Sequence, residues 1–264
     1  MDSTAQSQLH PLNEDRFKEI AYNVVGHAFS IHSDFGTLLQ ENAYKHELAA
    51  RCETDGMTVE TEYHIELIHA NYKKTFRIDL IVDSAPFELK VTNSINDSHR
   101  SQLLNYLFIA NANRAKLLNF GASSLEHEFV STSLTHQNRR EIQWGLEDFT
   151  PVGDFCEPFI EKLKTLVSDW GMRLTLKTYY EAIIHLFGGE EEVITSIPLK
   201  IGNKTIHQKA HLISTDVAFK ITNIEGSSEY LKRQIALWLK RTELAAVHWI
   251  NFQKQTLRLI TVKK

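Results

Sequence analysis

Two short runs in the first half of the chain alternate apolar and polar side chains, and their spacing predicts a β-hairpin. Arg77-Ile78-Asp79-Leu80-Ile81-Val82 reads as one strand, Asp83-Ser84-Ala85-Pro86 as a turn, and Phe87-Glu88-Leu89-Lys90-Val91 as the second strand. Successive side chains point to opposite faces of a strand, so Phe87, Leu89 and Val91 share one face while Glu88 and Lys90 take the other. Downstream, residues 98–107 open at a capping serine and continue with helical spacing. His99, Gln102 and Tyr106 are three and four residues apart there and fall along one stripe. Upstream, residues 38–52 read as another helix, with Glu41 and Tyr44 on a shared face. Further strands are predicted at residues 115–120, 197–201, 246–252 and 257–262.

Composition narrows the class without deciding it. A chain of 264 residues, 42% hydrophobic and 23% charged, is ordinary for a globular protein and long enough for one large or two small domains. No apolar run reaches the ~20 residues of a membrane-spanning helix, so no membrane partner is expected. The first residues carry neither a basic flank nor an apolar stretch, and residues 1–14 are expected to form a disordered leader. Cys52 and Cys156 lie far apart with no metal-site spacing, which favours a reducing, cytoplasmic setting and leaves no ligands for an iron–sulfur cluster. The 13 histidines are scattered without zinc-site spacing.

The hairpin carries the chemistry. A turn of this length can bring Asp79 beside Glu88. Two adjacent carboxylates repel each other and make a good seat for a hard divalent cation such as Mg²⁺. An ammonium at Lys90 beside such an ion would orient a water or steady charge developing on a phosphate. Taken alone, the three residues also fit a solvated hairpin face.

Several spaced blocks decide between these readings. His32, Gly36, Leu39-Gln40-Glu41-Asn42-Ala43-Tyr44, the Asp79 strand, Glu88-Leu89-Lys90, His99, Gln102-Leu103-Leu104-Asn105-Tyr106-Leu107 and Leu117-Leu118-Asn119-Phe120-Gly121 occur in order between about Phe17 and Ser131. This stretch resembles the GxxExxY proteins, a branch of the PD-(D/E)XK nuclease superfamily, and its Gln-x-x-x-Tyr element resembles that of RecB-type exonucleases. Leu38 replaces the glycine that the family has three residues before its glutamate, and Gly36 fits a neighbouring glycine of the pattern. The resemblance implies a restriction-endonuclease-like mixed sheet flanked by helices, with a Mg²⁺- or Mn²⁺-dependent phosphodiesterase site. It makes Asp79 and Glu88 the principal metal ligands, helped by the Leu89 carbonyl. Lys90 would orient the attacking water, Glu41 would bind metal through water or hold a second ion, and Gln102 and Tyr106 would support the site. His32 and His99 are expected to be structural hydrogen-bonders.

The second half reads as a decayed copy of the first. Gln102-Leu103-Leu104-Asn105-Tyr106-Leu107 recurs in outline as Gln234-Ile235-Ala236-Leu237-Trp238-Leu239, and Asn119-Phe120 recurs as Asn251-Phe252 with no gap between the blocks. Lys90-Val91-Thr92-Asn93 is echoed by Lys220-Ile221-Thr222-Asn223, which sets Ala218 at the place of Glu88. The Asp79 position falls near Lys209 or His211, and Lys177 stands for Glu41 if Tyr180 matches Tyr44. The expected architecture is therefore α/β in two tandem units, residues 15–150 catalytic and residues 151–264 not, with a hinge at residues 151–158. Residues 1–150 carry 13 Lys+Arg against 21 Asp+Glu, a net −8, whereas residues 151–264 carry 16 against 12, a net +4. The basic half is thus expected to hold a polyanion, with Lys232, Arg233, Lys240 and Arg241 as nucleic-acid contacts.

The expected function is metal-dependent hydrolysis of nucleic acid, DNA rather than RNA, by a chain that works alone as an intrachain pseudo-dimer or as a homo-oligomer. Two rivals remain at the level of sequence: a nuclease fold kept for binding without turnover, and an assembly protein.

Overall fold

Asp83 and Ser84 both adopt positive φ, 46° and 71°, and this two-residue turn sets the register of the hairpin that carries the candidate chemistry. In the computed structural model, which describes residues 9–226 and 228–264, the chain divides into two units. The first is Met1–Ile68 with Lys73–His136, and the second is His69–Tyr72 with Gln137–Lys264.

The first unit runs α1 (Glu14–Phe35), α2 (Glu41–Thr54), β1 (Val59–His69), β2 (Tyr72–Val82), β3 (Ala85–Lys90), α3 (Asp97–Ala110), β4 (Arg114–Asn119) and β5 (Glu126–Ser131). Its strands form one sheet in the order β1-β2-β3-β4-β5. β3 runs antiparallel to β2 and parallel to β4, and β4 is antiparallel to β5, so the sheet is mixed. Alternation along the strands sorts the two faces. Leu80, Val82, Phe87, Leu89, Leu118 and Phe120 are buried against α1 and α2. Leu117, Ala115 and Val130 pack under Leu103 and Leu107 of α3. Burying one such side chain stabilises by roughly 1.5–3 kcal/mol, so a slip of one residue in β3, which would bury Glu88 and Lys90 among these apolar groups, is strongly disfavoured.

Local signals explain the ends of these elements. The Asn13 side chain accepts the Arg16 N–H at 2.8 Å to start α1, which stops at Gly36 with φ 57°. α3 opens on a capping box between Asn96 and His99, two residues ahead of the expected serine cap. His99 is thus a structural hydrogen-bonder, and His32 is another, its ring meeting the Ala122 carbonyl at 3.1 Å. Residues 1–8 of the expected leader lie outside the described residues. Residues 9–14 are held: Leu9 is buried, its N–H donates to the Ala110 carbonyl, and Glu14 begins α1.

The second unit follows α4 (His136–Arg140) with β6 (Gln143–Gly145), α5 (Cys156–Trp170), α6 (Leu176–Leu186), α7 (Glu190–Val193), β7 (Ile194–Ile201), β8 (Lys204–His211), β9 (Val217–Thr222), α8 (Glu229–Leu239), β10 (Ala246–Gln253) and β11 (Thr256–Lys263). The division between units precedes the boundary expected at residue 150, because β6 adds to the second sheet beside β11. The expected hinge is also shorter, since α5 begins at Cys156 and contains Pro158. The second sheet has the order β6-β11-β10-β9, with β7-β8 as a hairpin joined to β9 by the Leu212–Ala218 bridge. β9 and β10 are parallel, β10 and β11 antiparallel, and α8 covers Val247, Trp249 and Ile260. From two helices through hairpin, strand, helix, strand and strand, the order of elements is that of the first unit.

The architecture is mixed α/β, a mixed sheet flanked by helices, as the restriction-endonuclease-like expectation requires. No helix among the described residues is long and apolar enough to cross a membrane.

Candidate active site

Asp79 lies one step along the β2–β3 register from the Leu80–Phe87 pair, which sets it across from Glu88. One Asp79 oxygen, Oδ2, accepts the backbone N–H of Leu89 at 2.8 Å. Glu88 is 2% exposed, and its two oxygens have different surroundings. Oε1 accepts from the Lys90 ammonium at 2.7 Å and from the Gln102 amide at 2.9 Å. Oε2 is buried and has no hydrogen-bond partner among the described residues. A buried carboxylate oxygen left in that state is costly unless a cation or donor completes it.

The electrostatics agree with this geometry. Burial, and then the Asp79 carboxylate, push the Glu88 carboxyl up to about 7, against the opposing pull of Lys90. Burial alone would lower the Lys90 ammonium, but Glu88, Asp79 and Glu41 together hold it above its ordinary value. Burial also raises the Tyr106 phenol, so it remains neutral and hydrogen-bonding. Gln102 spends its second N–H on the Tyr106 hydroxyl at 2.8 Å, and the Tyr106 ring meets Phe76 edge-on at 6.0 Å. Asp79, Glu88, Lys90, Gln102 and Tyr106 are therefore one connected group between β2, β3 and α3.

Glu41 stands apart from that network. It is the first residue of α2, exposed, and close enough for its charge to act on Lys90. Among the described residues no group of three or more His, Cys, Asp or Glu side chains gathers at metal-holding distance. The donor set that fits a hard divalent cation is the Asp79–Glu88 pair, with the unpartnered Glu88 Oε2 at its centre and the Leu89 carbonyl as a possible addition.

Three further residues, Asn119, Gly121 and Tyr44, support the site without carrying its chemistry. The Asn119 side chain lies at the end of β4 opposite Lys90 and clamps the chain leaving β3. Its Oδ1 accepts the Thr92 N–H and its Nδ2 donates to the Thr92 carbonyl, both at 2.9 Å. Gly121 lets the chain pass Thr92 closely: a Cβ at this position would lie 2.4 Å from the Thr92 nitrogen. Tyr44 plays the corresponding part for the loop that presents Glu41. Its hydroxyl donates to the Gly36 carbonyl at 2.6 Å and accepts the Leu39 N–H at 3.2 Å, and its ring stacks on Phe120 at 4.3 Å.

Pairing register corrects the sequence correspondence in the second unit. Asn251 pairs with Thr222 as Asn119 pairs with Lys90, so Lys220 occupies the place of Glu88 and Thr222 that of Lys90. Extending the Leu212–Ala218 bridge sets Ala210 across from Lys220, at the place of Asp79. Tyr179, rather than Tyr180, matches Tyr44, which puts Leu176 where Glu41 stands. The expected alignment was anchored on the one shared lysine and was two residues out in β9. Of the four basic residues expected to grip nucleic acid, Lys232 is tied to Asp148 at 2.8 Å and to Glu229 at 3.3 Å.

Residues 18–132 match the family model of the PD-(D/E)XK nuclease superfamily. No curated protein matches the chain in sequence. A solved structure described as "Crystal structure of SSO0001" is 22% identical, with a TM-score of 0.30; the match spans 47% of this chain and 61% of that one, and at this level it carries no argument. The likeness to the PD-(D/E)XK nuclease superfamily covers residues 18–132, less than half of the chain.

Proposed function

We propose that the first unit is a metal-dependent nuclease of the GxxExxY branch, hydrolysing phosphodiester bonds of nucleic acid and preferring DNA to RNA. Nucleases of this superfamily typically use divalent ions, and the carboxylates available suit Mg²⁺ or Mn²⁺. The observation that carries the reading is the buried, unpartnered Glu88 Oε2 beside Asp79, an arrangement that is unfavourable without a cation and favourable with one.

Asp79 and Glu88 are the ligands in this reading, assisted by the Leu89 carbonyl, and Glu41 contributes through water. A bound ion supplies Lewis acidity toward a phosphoryl oxygen and makes water a better nucleophile. Lys90 keeps its proton and holds the attacking water beside Glu88. Gln102 fixes the Glu88 carboxylate through Oε1 and leaves Oε2 for the ion, and Tyr106 fixes Gln102 in turn. The second unit is then a decayed copy without catalysis, since Ala210, Lys220, Thr222 and Leu176 provide no carboxylate at the four matching places. Its partners in this reading are the substrate strand, through Arg233, Lys240 and Arg241, and the first unit of the same chain or of a second copy. Work in the cytoplasm fits two buried cysteines that stay as thiols.

The test is cleavage of labelled single- and double-stranded DNA and RNA as Mg²⁺ is titrated in. Metal-dependent products support the reading. Binding of nucleic acid without products would instead support a nuclease fold kept as a binding module, and neither binding nor products an assembly role.

A further inference from the structure

The second unit has a cavity of about 360 Å³ between β8, β9 and α8, at the place that Asp79, Glu88, Gln102 and Tyr106 fill in the first unit. Its lining includes Gln208, Ala210, Ala218, Lys220, Gln234 and Trp238. The small side chains Ala210 and Ala218 leave the floor open. Among the described residues no Asp or Glu lines the cavity. Lys220 is exposed and forms no ion pair among the described residues. Trp238 is half-buried in this lining, so its ring forms an aromatic wall beside the Lys220 ammonium and the Gln208 and Gln234 amides.

We infer that this hollow is a receptor for a nucleotide unit, with Lys220 taking the phosphate and the Trp238 ring and the Gln208 and Gln234 amides taking the base. An exposed ammonium seeks an anion, and an aromatic wall with amide donors and acceptors is what a base requires. The volume lies in the range of pockets that enclose a small ligand. Exchange of Glu88 for Lys220 and of Asp79 for Ala210 removes the seat for a cation and reverses the charge of the hollow. The choice of a nucleotide over other phosphate esters rests on the reading of the first unit as a nuclease. The hollow would hold one part of a strand without cutting it.

The test uses the full chain carrying Asp79→Asn in excess chelator, so that cleavage plays no part. The probes are deoxyadenosine monophosphate and inorganic phosphate, and the readouts are calorimetry and the ¹H–¹⁵N indole resonance of Trp238, assigned by its loss in Trp238→Phe. The nucleotide should shift that resonance, inorganic phosphate at equal concentration should do so far less, and Lys220→Ala should weaken nucleotide binding by about tenfold or more. Gln234→Leu, on the exposed side of α8, should weaken it as well and serves as a second variant. No shift with the nucleotide, an equal response to both probes, or unchanged affinity in both variants would overturn the inference. A negative result here alongside Mg²⁺-dependent cleavage by the native chain would remove the receptor and leave the nuclease standing. A positive result without any cleavage would do the reverse for the catalytic reading and remove the stated reason for preferring a nucleotide, leaving the measured preference over phosphate to stand for it.

Discussion

Tyr44 and Tyr179 make the same three contacts in the two units. Each hydroxyl donates at 2.6 Å to the carbonyl of the glycine eight residues earlier, Gly36 or Gly171. Each accepts the N–H of the leucine five residues earlier, Leu39 at 3.2 Å or Leu174 at 3.3 Å. Each ring stacks at 4.3 Å on a phenylalanine, Phe120 or Phe252. A tyrosine so placed ties the loop before a helix to the end of a strand. Removing either hydroxyl leaves a buried carbonyl and an N–H unsatisfied, so Tyr44→Phe and Tyr179→Phe should each lower stability by about 1–3 kcal/mol in denaturant melts. Only Tyr44→Phe should also slow cleavage, because only its loop leads to a carboxylate. Equal loss of activity in both variants would mean that the effect is general destabilisation.

Gln102 and Tyr106 should separate by degree. Gln102→Ala takes a donor from Glu88 Oε1 and frees the carboxylate to turn, so the cleavage rate should fall by tenfold or more on the scale of a lost hydrogen bond to a charged group. Tyr106 touches Glu88 only through Gln102, and Tyr106→Phe should cost less in rate. Rates at saturating substrate, set beside unfolding midpoints, check the order. A lowered midpoint with an unchanged rate in Tyr106→Phe would make it a packing residue.

Much of the first unit was legible from the sequence because its signals are local. Alternation in β3, a turn opening at Asp83-Ser84 and the helical stripe through Gln102 and Tyr106 each depend on near neighbours. The turn is two residues long rather than the expected four, because Ala85 and Pro86 already pair with Val82 and Ile81. The parts that were not legible depend on pairing between distant segments. The Asn119 clamp on Thr92 joins the end of β4 to the chain leaving β3, and no periodicity announces it. In the second unit the misplaced Lys220 has the same origin: strand register is set across the β9–β10 pair, and a lone shared lysine is a poor guide to it. The cap at Asn96 was missed for a smaller reason, since asparagine, aspartate and serine in succession are all competent caps.

His248 is buried in β10, with one ring nitrogen 3.3 Å from the Cys156 sulfur and the other 3.1 Å from the Thr261 hydroxyl. Burial lowers its pKa from the ordinary 6.5, outweighing a backbone hydrogen bond from the Val152 side that acts the other way. The unfolded chain therefore binds a proton that the folded chain refuses as the pH falls below 6.5. The stability associated with neutral His248 is complete above that pH and is eroded below it, with a slope of at most about 1.4 kcal/mol per pH unit. Thermal melts between pH 5 and 8 in about one-unit steps should show this slope, reduced in His248→Gln. Parallel curves for the two proteins would assign the acid sensitivity elsewhere.

The basic residues of the second unit should not act alike. Lys232 already has Asp148 and Glu229 as partners, so Lys232→Glu should lower stability by about 1 kcal/mol or less and leave DNA affinity nearly unchanged. Reversing Arg233, Lys240 and Arg241 together should weaken binding and flatten its dependence on salt, because phosphate contacts draw on counterion release. Affinity measured across a salt series distinguishes the two variants. An unchanged salt slope in the triple variant would exclude this surface as the grip.

The most direct test of the account compares the native chain with Glu88→Gln, a change of one oxygen for one amide at the group whose Oε2 lacks a partner. With labelled DNA and Mg²⁺, the native chain should give products that vanish in excess chelator. Glu88→Gln should give at least about a hundredfold less product, as loss of a metal ligand demands, while its unfolding midpoint in metal-free buffer is equal or higher because the buried repulsion with Asp79 is gone. Cleavage by Glu88→Gln at the native rate, or native cleavage that survives the chelator, would contradict it.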